Sequence, residues 1–300
     1  MNKPEIATQH GTTWSRRDWL KMAALGAAAL ALPGRSSGAP AAGRIPIALQ
    51  LYSIRKECGQ NFDQALEAAA KMGLDGVEFA GYYKYGQDAA GLRKRLDDLG
   101  LKAAATHIGL GTMTGDNLKR TIDFHKTIGC KFLIVPGDGA FANPERSKGL
   151  AETFNQVAAA LKPEGLYCGY HNHTGEFAQH EGKTYWDLFA ERTAPEVVLQ
   201  QDVGWSTNAG QDPVALIRRY PGRTKSTHFK PEVKQGEAGK EPIIGKDSVN
   251  WKGIITACYE VGGTEWFTVE QEWYPQGVAP IEASQRSVLG LKAILKDMGK

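Results

Sequence analysis

The 300-residue chain has only four cysteines, and no two of them form a C-x-x-C pair; Cys58, Cys130, Cys168 and Cys258 lie far apart. This excludes a thiolate metal site and a dithiol redox motif, and the apolar or helical surroundings of Cys130, Cys168 and Cys258 predict buried free thiols. The apolar run Met22–Leu32 covers 11 residues, short of the roughly 20 a membrane-spanning helix needs. Excess charge of one sign is also lacking. Setting residues 1–42 aside removes five basic and two acidic residues and leaves 31 of each, so the remaining domain lacks the basic footprint of a nucleic-acid binder. No glycine-rich turn follows the first strand-like run, where the chain reads YSIRKECG; an open doubly wound sheet usually marks its ligand site with such a turn. Internal repeats, heptads and low-complexity tracts are absent beyond the first 42 residues.

What is present begins with SRRDWLKMAALGAAALALPG, residues 15–34. Charge, then an apolar middle, then small residues is the order of an export signal. The Ser15–Lys21 stretch, with Arg16 and Arg17 adjacent, resembles the twin-arginine signal family, which carries folded proteins across the bacterial inner membrane. Ala39-Pro40-Ala41 offers a cleavage site, with Ala29-Leu30-Ala31 as an alternative. Residues 1–42 are therefore expected to be a signal and linker, and residues 43–300 a single periplasmic domain with no membrane attachment once the signal is removed.

From Ile45 the chain alternates short apolar runs with longer helix-period segments. Strands are expected over 45–53, 76–80, 102–108, 131–137, 166–172, 197–203, 225–230 and 266–271. The segments between carry helical periods: Asn61 caps one in which Phe62, Ala65, Leu66, Ala69 and Met72 recur, and Leu118, Ile122 and Ile128 mark another that stops at Gly129. Eight such units predict an α/β fold, a closed (β/α)8 TIM barrel. The longest irregular insertion, residues 231–248, falls on the rim where such barrels carry their sites.

In a barrel of this kind the C-terminal strand ends converge. They carry Glu78 in GVEFAG, His107 in ATHIG, His171 and His173 in GYHNHTGEF, Asp202 in LQQDVGW, His228 and Lys230 in STHFKP, and Glu270 and Glu272 in TVEQEW. Asp202 and Glu270 each follow an apolar run, and a carboxylate there needs a partner to offset its desolvation. A divalent cation is such a partner. Imidazole and carboxylate without thiolate suit Mn²⁺, Mg²⁺, Zn²⁺ or Fe²⁺. Lys230 lies two residues past His228 and so faces the same interior, where it could exchange a proton, stabilise an oxyanion or simply bind a substrate group. Glu78 and His107 are candidates for a second acid/base pair or for substrate contacts, and His173 is a further candidate. His125, on a helix, reads as structural. Tyr52, Tyr82, Tyr83, Trp205 and Trp273 are expected near the same rim, where rings can rest on the C–H faces of sugars.

GYHNHTGEF, QQDVGWSTNAG, HFKP, IIGKDSVNW and FTVEQEW, in that order on strands five to eight, resemble the xylose-isomerase-like barrel superfamily, and within it the sugar phosphate isomerase/epimerase and inosose-dehydratase-like branch. The resemblance runs from about Ile45 to Leu295. It implies one metal ion held by a residue from each of strands five to eight, usually Glu, Asp, His and Glu. The last three match Asp202, His228 and Glu270. At the first position this chain has YHNH, which makes His171 the leading candidate, ahead of His173 and Glu176. The implied chemistry is proton transfer alpha to a carbonyl of a small sugar, with the metal stabilising the charge that develops. Export favours an unphosphorylated keto-sugar or inosose, since phosphorylated sugars are held in the cytoplasm. The rival readings are a barrel that binds sugar without catalysis and a metal-dependent phosphodiester hydrolase of the same superfamily.

Overall fold

The first strand is shorter than its apolar run. β1 (Ile47–Gln50) gives way to a 3₁₀ turn, Leu51–Ile54, because the Gln50 side chain accepts from the Tyr52 N–H and caps it. A computed structural model describes residues 43–300; the signal and linker expected over residues 1–42 lie outside the described residues. The other barrel strands are β2 (Gly76–Phe79), β3 (Lys102–His107), β4 (Phe132–Val135), β5 (Tyr167–His171), β6 (Val198–Gln200), β7 (Ser226–Phe229) and β8 (Trp266–Val269). All pair in parallel in the order β6-β5-β4-β3-β2-β1-β8-β7. The parallel bridge between Asp202 and His228 closes the ring, with the His228 N–H donating to the Gln201 carbonyl at 2.9 Å. The expected (β/α)8 barrel is the fold.

Helices α1 (Arg55–Gln60), α2 (Phe62–Lys71), α3 (Ala89–Leu99), α4 (Asn117–Ile128), α5 (Ser147–Leu161), α6 (Tyr185–Arg192), α7 (Val203–Asn208), α8 (Pro213–Arg219) and α9 (Trp251–Ala257) lie between the strands, and α10 (Pro280–Asp297) follows β8. Asn61 caps α2 as expected, accepting from the Gln64 N–H, and Gly129 ends α4 with φ of 74°, the left-handed turn that glycine adopts without penalty. The short helices α1 and α7 and a two-stranded antiparallel hairpin, Gln179–His180 with Lys183–Thr184, are additions the periodicity did not announce. Among the described residues no helix is long and apolar enough to cross a membrane.

Outward strand residues such as Ile47, Leu49, Val77 and Phe79 form one core with α2, α3, α9 and α10, while Leu133, Val135, Cys168, Tyr170 and Leu199 form another with α5 and α6. Inside the barrel an apolar floor of Ala48, Ala104, Ala105, Phe132, Ile134, Val198 and Trp266 lies beneath a polar upper layer. All four cysteines are buried free thiols, as expected.

One local irregularity has a large consequence. β2 pairs Gly76 with Lys102 and Val77 with Ala103, but then Glu78 with Ala105 and Phe79 with Thr106, so β3 carries one extra residue, Ala104. Side chains alternate along a strand, and one inserted residue reverses the facing of all that follow. Ala103 packs outward, Ala105 inward, and His107 enters the barrel, where its ring stacks on His228 with centroids 5.2 Å apart. Without the bulge His107 would face the helices.

The insertion 231–248 is irregular, as expected, and tied at its base. Asp247 accepts from Glu232 N–H at 3.1 Å, Gly245 N–H at 3.2 Å and Trp251 Nε1–H at 2.7 Å. Ile243 and Ile244 are buried, and the Ile244 N–H donates to Ser287 on α10. Burial pushes the Asp247 carboxyl up to about 6 in spite of its donors. Its folded pKa thus exceeds its ordinary value of 3.8, so between about pH 4 and 6 the folded state keeps a proton that the unfolded chain has released, and stability falls as pH rises through that window. Full ionisation costs about 3 kcal/mol. Asp247→Asn removes this titration, so urea unfolding should find the wild type losing about that much relative to the variant between about pH 4 and pH 7. Parallel stability profiles for the two proteins would contradict it.

Candidate metal centre

Strand alternation sets the inner face at each strand end. β5 presents Gly169 then His171; β7 presents Ser226, His228 and, just past its end, Lys230; β8 presents Trp266, Thr268 and then Glu270. Asp202 is two residues beyond Gln200 of β6, on the bridge that closes the barrel. Asn172 pins it there, since the Asp202 N–H donates to Asn172 Oδ1 at 3.0 Å and Asn172 Nδ2 donates to the Asp202 carbonyl. Asp202 also caps α7, its Oδ1 accepting from the Trp205 N–H at 2.7 Å.

One donor atom from each of His171, Asp202, His228 and Glu270 lies within 4.8 Å of the others, and all four residues are buried. His228 Nδ1 is 3.1 Å from Glu270 Oε2 and 3.8 Å from Asp202 Oδ2. Two atoms of the cluster, Asp202 Oδ2 and His171 Nδ1, are buried without any hydrogen-bond partner. An orphaned buried acceptor is costly, and two in one cluster is the arrangement a cation would relieve. The donors therefore fit a divalent ion of the Mn²⁺, Mg²⁺, Zn²⁺ or Fe²⁺ type. His107 joins His171 and His228 in a second, overlapping group at the same spacing.

The electrostatics follow from dryness. Burial pushes the Asp202 carboxyl up to about 7, opposed by the Lys230 ammonium and reinforced by Glu270. Burial would lower His228, but Glu78 and Glu270 override it and raise the ring to about 10. His171 is held well below the ordinary histidine range by burial and by the neighbouring imidazoles, which keeps its lone pair available.

Of the three strand-five candidates, His171 joins the cluster. The His173 ring stands against His171 and Trp205, with centroids 4.9 and 5.5 Å away, and the His173 backbone N–H donates to Glu176 Oε2 at 2.8 Å. Glu176 turns away to accept from the Tyr170 hydroxyl at 3.3 Å. Lys230 is fully buried; its ammonium sits 3.5 Å from the centroid of the Trp205 ring and pairs with Glu272. Burial lowers its pKa against the pull of Asp202, Glu270 and Glu232.

Glu78, expected to form an acid/base pair with His107 or to contact substrate, has Oε1 2.8 Å from His107 Nε2. It has no accessible surface, and its oxygens accept from Gln50, Gln200, Thr268 and His228, while His107 Nε2 bonds Gln200 Oε1 at 2.8 Å. Glu78 pairs with Gln50 and Ala105 in the ladder and lies on the Nε2 side of His228. His107 does reach the upper layer and stays slightly exposed. Tyr82 and Tyr83 leave the expected rim. The Tyr82 hydroxyl bonds Thr106 and His125 outside the barrel, and Tyr83 packs on Phe62. Tyr52 and Trp273 remain exposed, and His125 is structural as expected, its Nδ1 on the Thr121 carbonyl. The sequence reading passed over Gln50, Gln200, Thr268 and Asn172. The first three were marked by their place on the inward face of their strands, and Asn172 by its position next to His171.

Inosose dehydratase of Lacticaseibacillus casei is 25% identical over 273 residues, covering 78% of this chain and 90% of that protein. Inosose dehydratase of Clostridium perfringens strain 13 is 28% identical over 259 residues, covering 74% and 86%. A crystal structure of a sugar phosphate isomerase/epimerase from Parabacteroides distasonis superposes with a TM-score of 0.68 at 27% identity, covering 85% of this chain and 96% of that one. Residues 66–294 match the family model described as xylose isomerase-like TIM barrel, and with eight parallel strands and convergent donors at their ends the chain belongs to that family.

Proposed function

We propose that the protein is a divalent-ion-dependent enzyme that moves a proton alpha to the carbonyl of an unphosphorylated keto-sugar or inosose, ending in isomerisation, epimerisation or elimination of water or an alcohol. The observation that carries this reading is the buried four-donor cluster with partnerless atoms on His171 and Asp202. The similarity to inosose dehydratases and to a sugar phosphate isomerase/epimerase supports a sugar-modifying enzyme.

His171, Asp202, His228 and Glu270 would hold the ion. When bound there, a divalent cation supplies Lewis-acid stabilisation of negative charge on substrate oxygens. Lys230 is the proton-carrying group on this reading. It faces the same interior as His228, and burial brings its pKa down toward the working range of a base. His107 and His173 are the polar groups beside it that would contact sugar hydroxyls or return the proton. The Trp205 ring, stacked on the ammonium and beside His173, holds Lys230 in place and screens it from water. Export by the twin-arginine route, with the periplasm as the working compartment, belongs to the same proposal.

Incubating the protein with Mn²⁺ or Zn²⁺ and a panel of keto-sugars in heavy water tests it. Deuterium incorporated beside the carbonyl, with a new product by NMR, is the expected result. Sugar binding with neither exchange nor product would leave the non-catalytic barrel as the better description, and robust cleavage of abasic duplex DNA would favour the hydrolase.

A further inference from the structure

Glu78 is fully buried in the barrel, and its ion-pair partners are two imidazoles. Oε1 lies 2.9 Å from His228 Nε2 and 2.8 Å from His107 Nε2, with Gln50 Nε2 at 3.0 Å and Gln200 Nε2 at 3.1 Å. Oε2 accepts from Gln200 Nε2 at 3.1 Å and from Thr268 Oγ1 at 3.3 Å. Such a carboxylate cannot reach a substrate at the mouth, yet it touches a residue of the donor cluster directly.

An imidazole offers two nitrogens, and the hydrogen bond made by one decides which is left for other work. The Nε2 edge of His228 faces Glu78, while Nδ1 faces Glu270 and Asp202. We propose that Glu78 is a positioning residue for the candidate ion: it accepts the His228 Nε2–H, fixes the ring, and leaves Nδ1 as the ion-facing nitrogen. The inference rests on reading the four-donor cluster as an ion site. A carboxylate in this position also makes the ligand more basic. An amide would not replace it, because its NH₂ group would meet donors already converging from Gln50, Gln200 and Thr268.

The test uses zinc and needs no substrate. In zinc-loaded wild-type protein labelled with ¹⁵N-histidine, His228 is expected to show a zinc-bound Nδ1 and a protonated, slowly exchanging Nε2. Coordination through Nε2 overturns the proposal, and this measurement stands even where a variant fails to fold. In chelator competition Glu78→Gln, at a temperature where circular dichroism reports a folded barrel, is expected to weaken zinc binding by about 10- to 100-fold. Thr268→Val, which removes one of the two donors to Oε2 and leaves Oε1 untouched, is expected to lose stability but keep the wild-type affinity. Unchanged affinity in folded Glu78→Gln defeats this inference alone, whereas failure of the wild type to bind any divalent ion defeats the ion reading as well.

Discussion

On the proposed function, Asp202→Asn is expected to abolish ion binding at the candidate centre and lower kcat/KM by about 10³-fold or more, the equivalent of losing several kcal/mol of Lewis-acid stabilisation. The fold should survive, because the asparagine oxygen can still cap α7 at the Trp205 N–H, as Oδ1 does now. What disappears is Oδ2, a buried acceptor with no partner in the protein. An amide NH₂ in its place points two protons at the spot where a cation would sit. Glu270→Gln acts on the same Nδ1 edge of His228 and should lose the ion for the same reason. Metal content per chain, measured together with circular dichroism and turnover, checks both. Stoichiometric ion in the two variants would remove the basis for the site.

Lys230→Met is the second large effect. It should reduce turnover by about 10²- to 10⁴-fold, the range for losing a positioned proton-transfer group, while the ion content stays at the wild-type level. Methionine keeps an apolar stem against the Trp205 ring and deletes the ammonium. Glu272 then loses its partner, but it is partly exposed and can be solvated. Gly204→Ala should act on the same group from outside. A Cβ there would lie 2.6 Å from the Lys230 carbonyl oxygen and 2.9 Å from its Cγ, so α7 or Lys230 must move. Overpacking of this kind costs about 1–3 kcal/mol and should lower turnover without releasing the ion. Wild-type deuterium exchange in Lys230→Met would assign the lysine to substrate binding alone.

Part of this site was legible because it depends on local regularities. An apolar run of strand length followed by a helical period, repeated eight times, leaves few arrangements other than a closed barrel. In a barrel every strand end faces one way, so the polar strand-end residues could be grouped, and the family resemblance picked His171, Asp202, His228 and Glu270 out of them although 99 residues separate the first from the last. Glu78 follows apolar residues as Glu270 does, but its carboxylate ends among Gln50, Gln200, Thr268 and His228 Nε2 and outside the four-donor cluster. Likewise Tyr82 follows a strand as Trp205 does, yet it turns outward to Thr106 and His125.

Sequence alone thus determined the repeating unit, the inward parity of most strand ends and the chemical types gathered there. The tertiary structure decided the buried partners of Glu78, the inward turn of His107 by the bulge at Ala104, and which atoms, Asp202 Oδ2 and His171 Nδ1, end without partners. The division is physical. Periods of 2 and 3.6 are written in neighbouring residues, whereas stagger between strands and the pairing of buried polar atoms are set by segments that meet only when the ring closes.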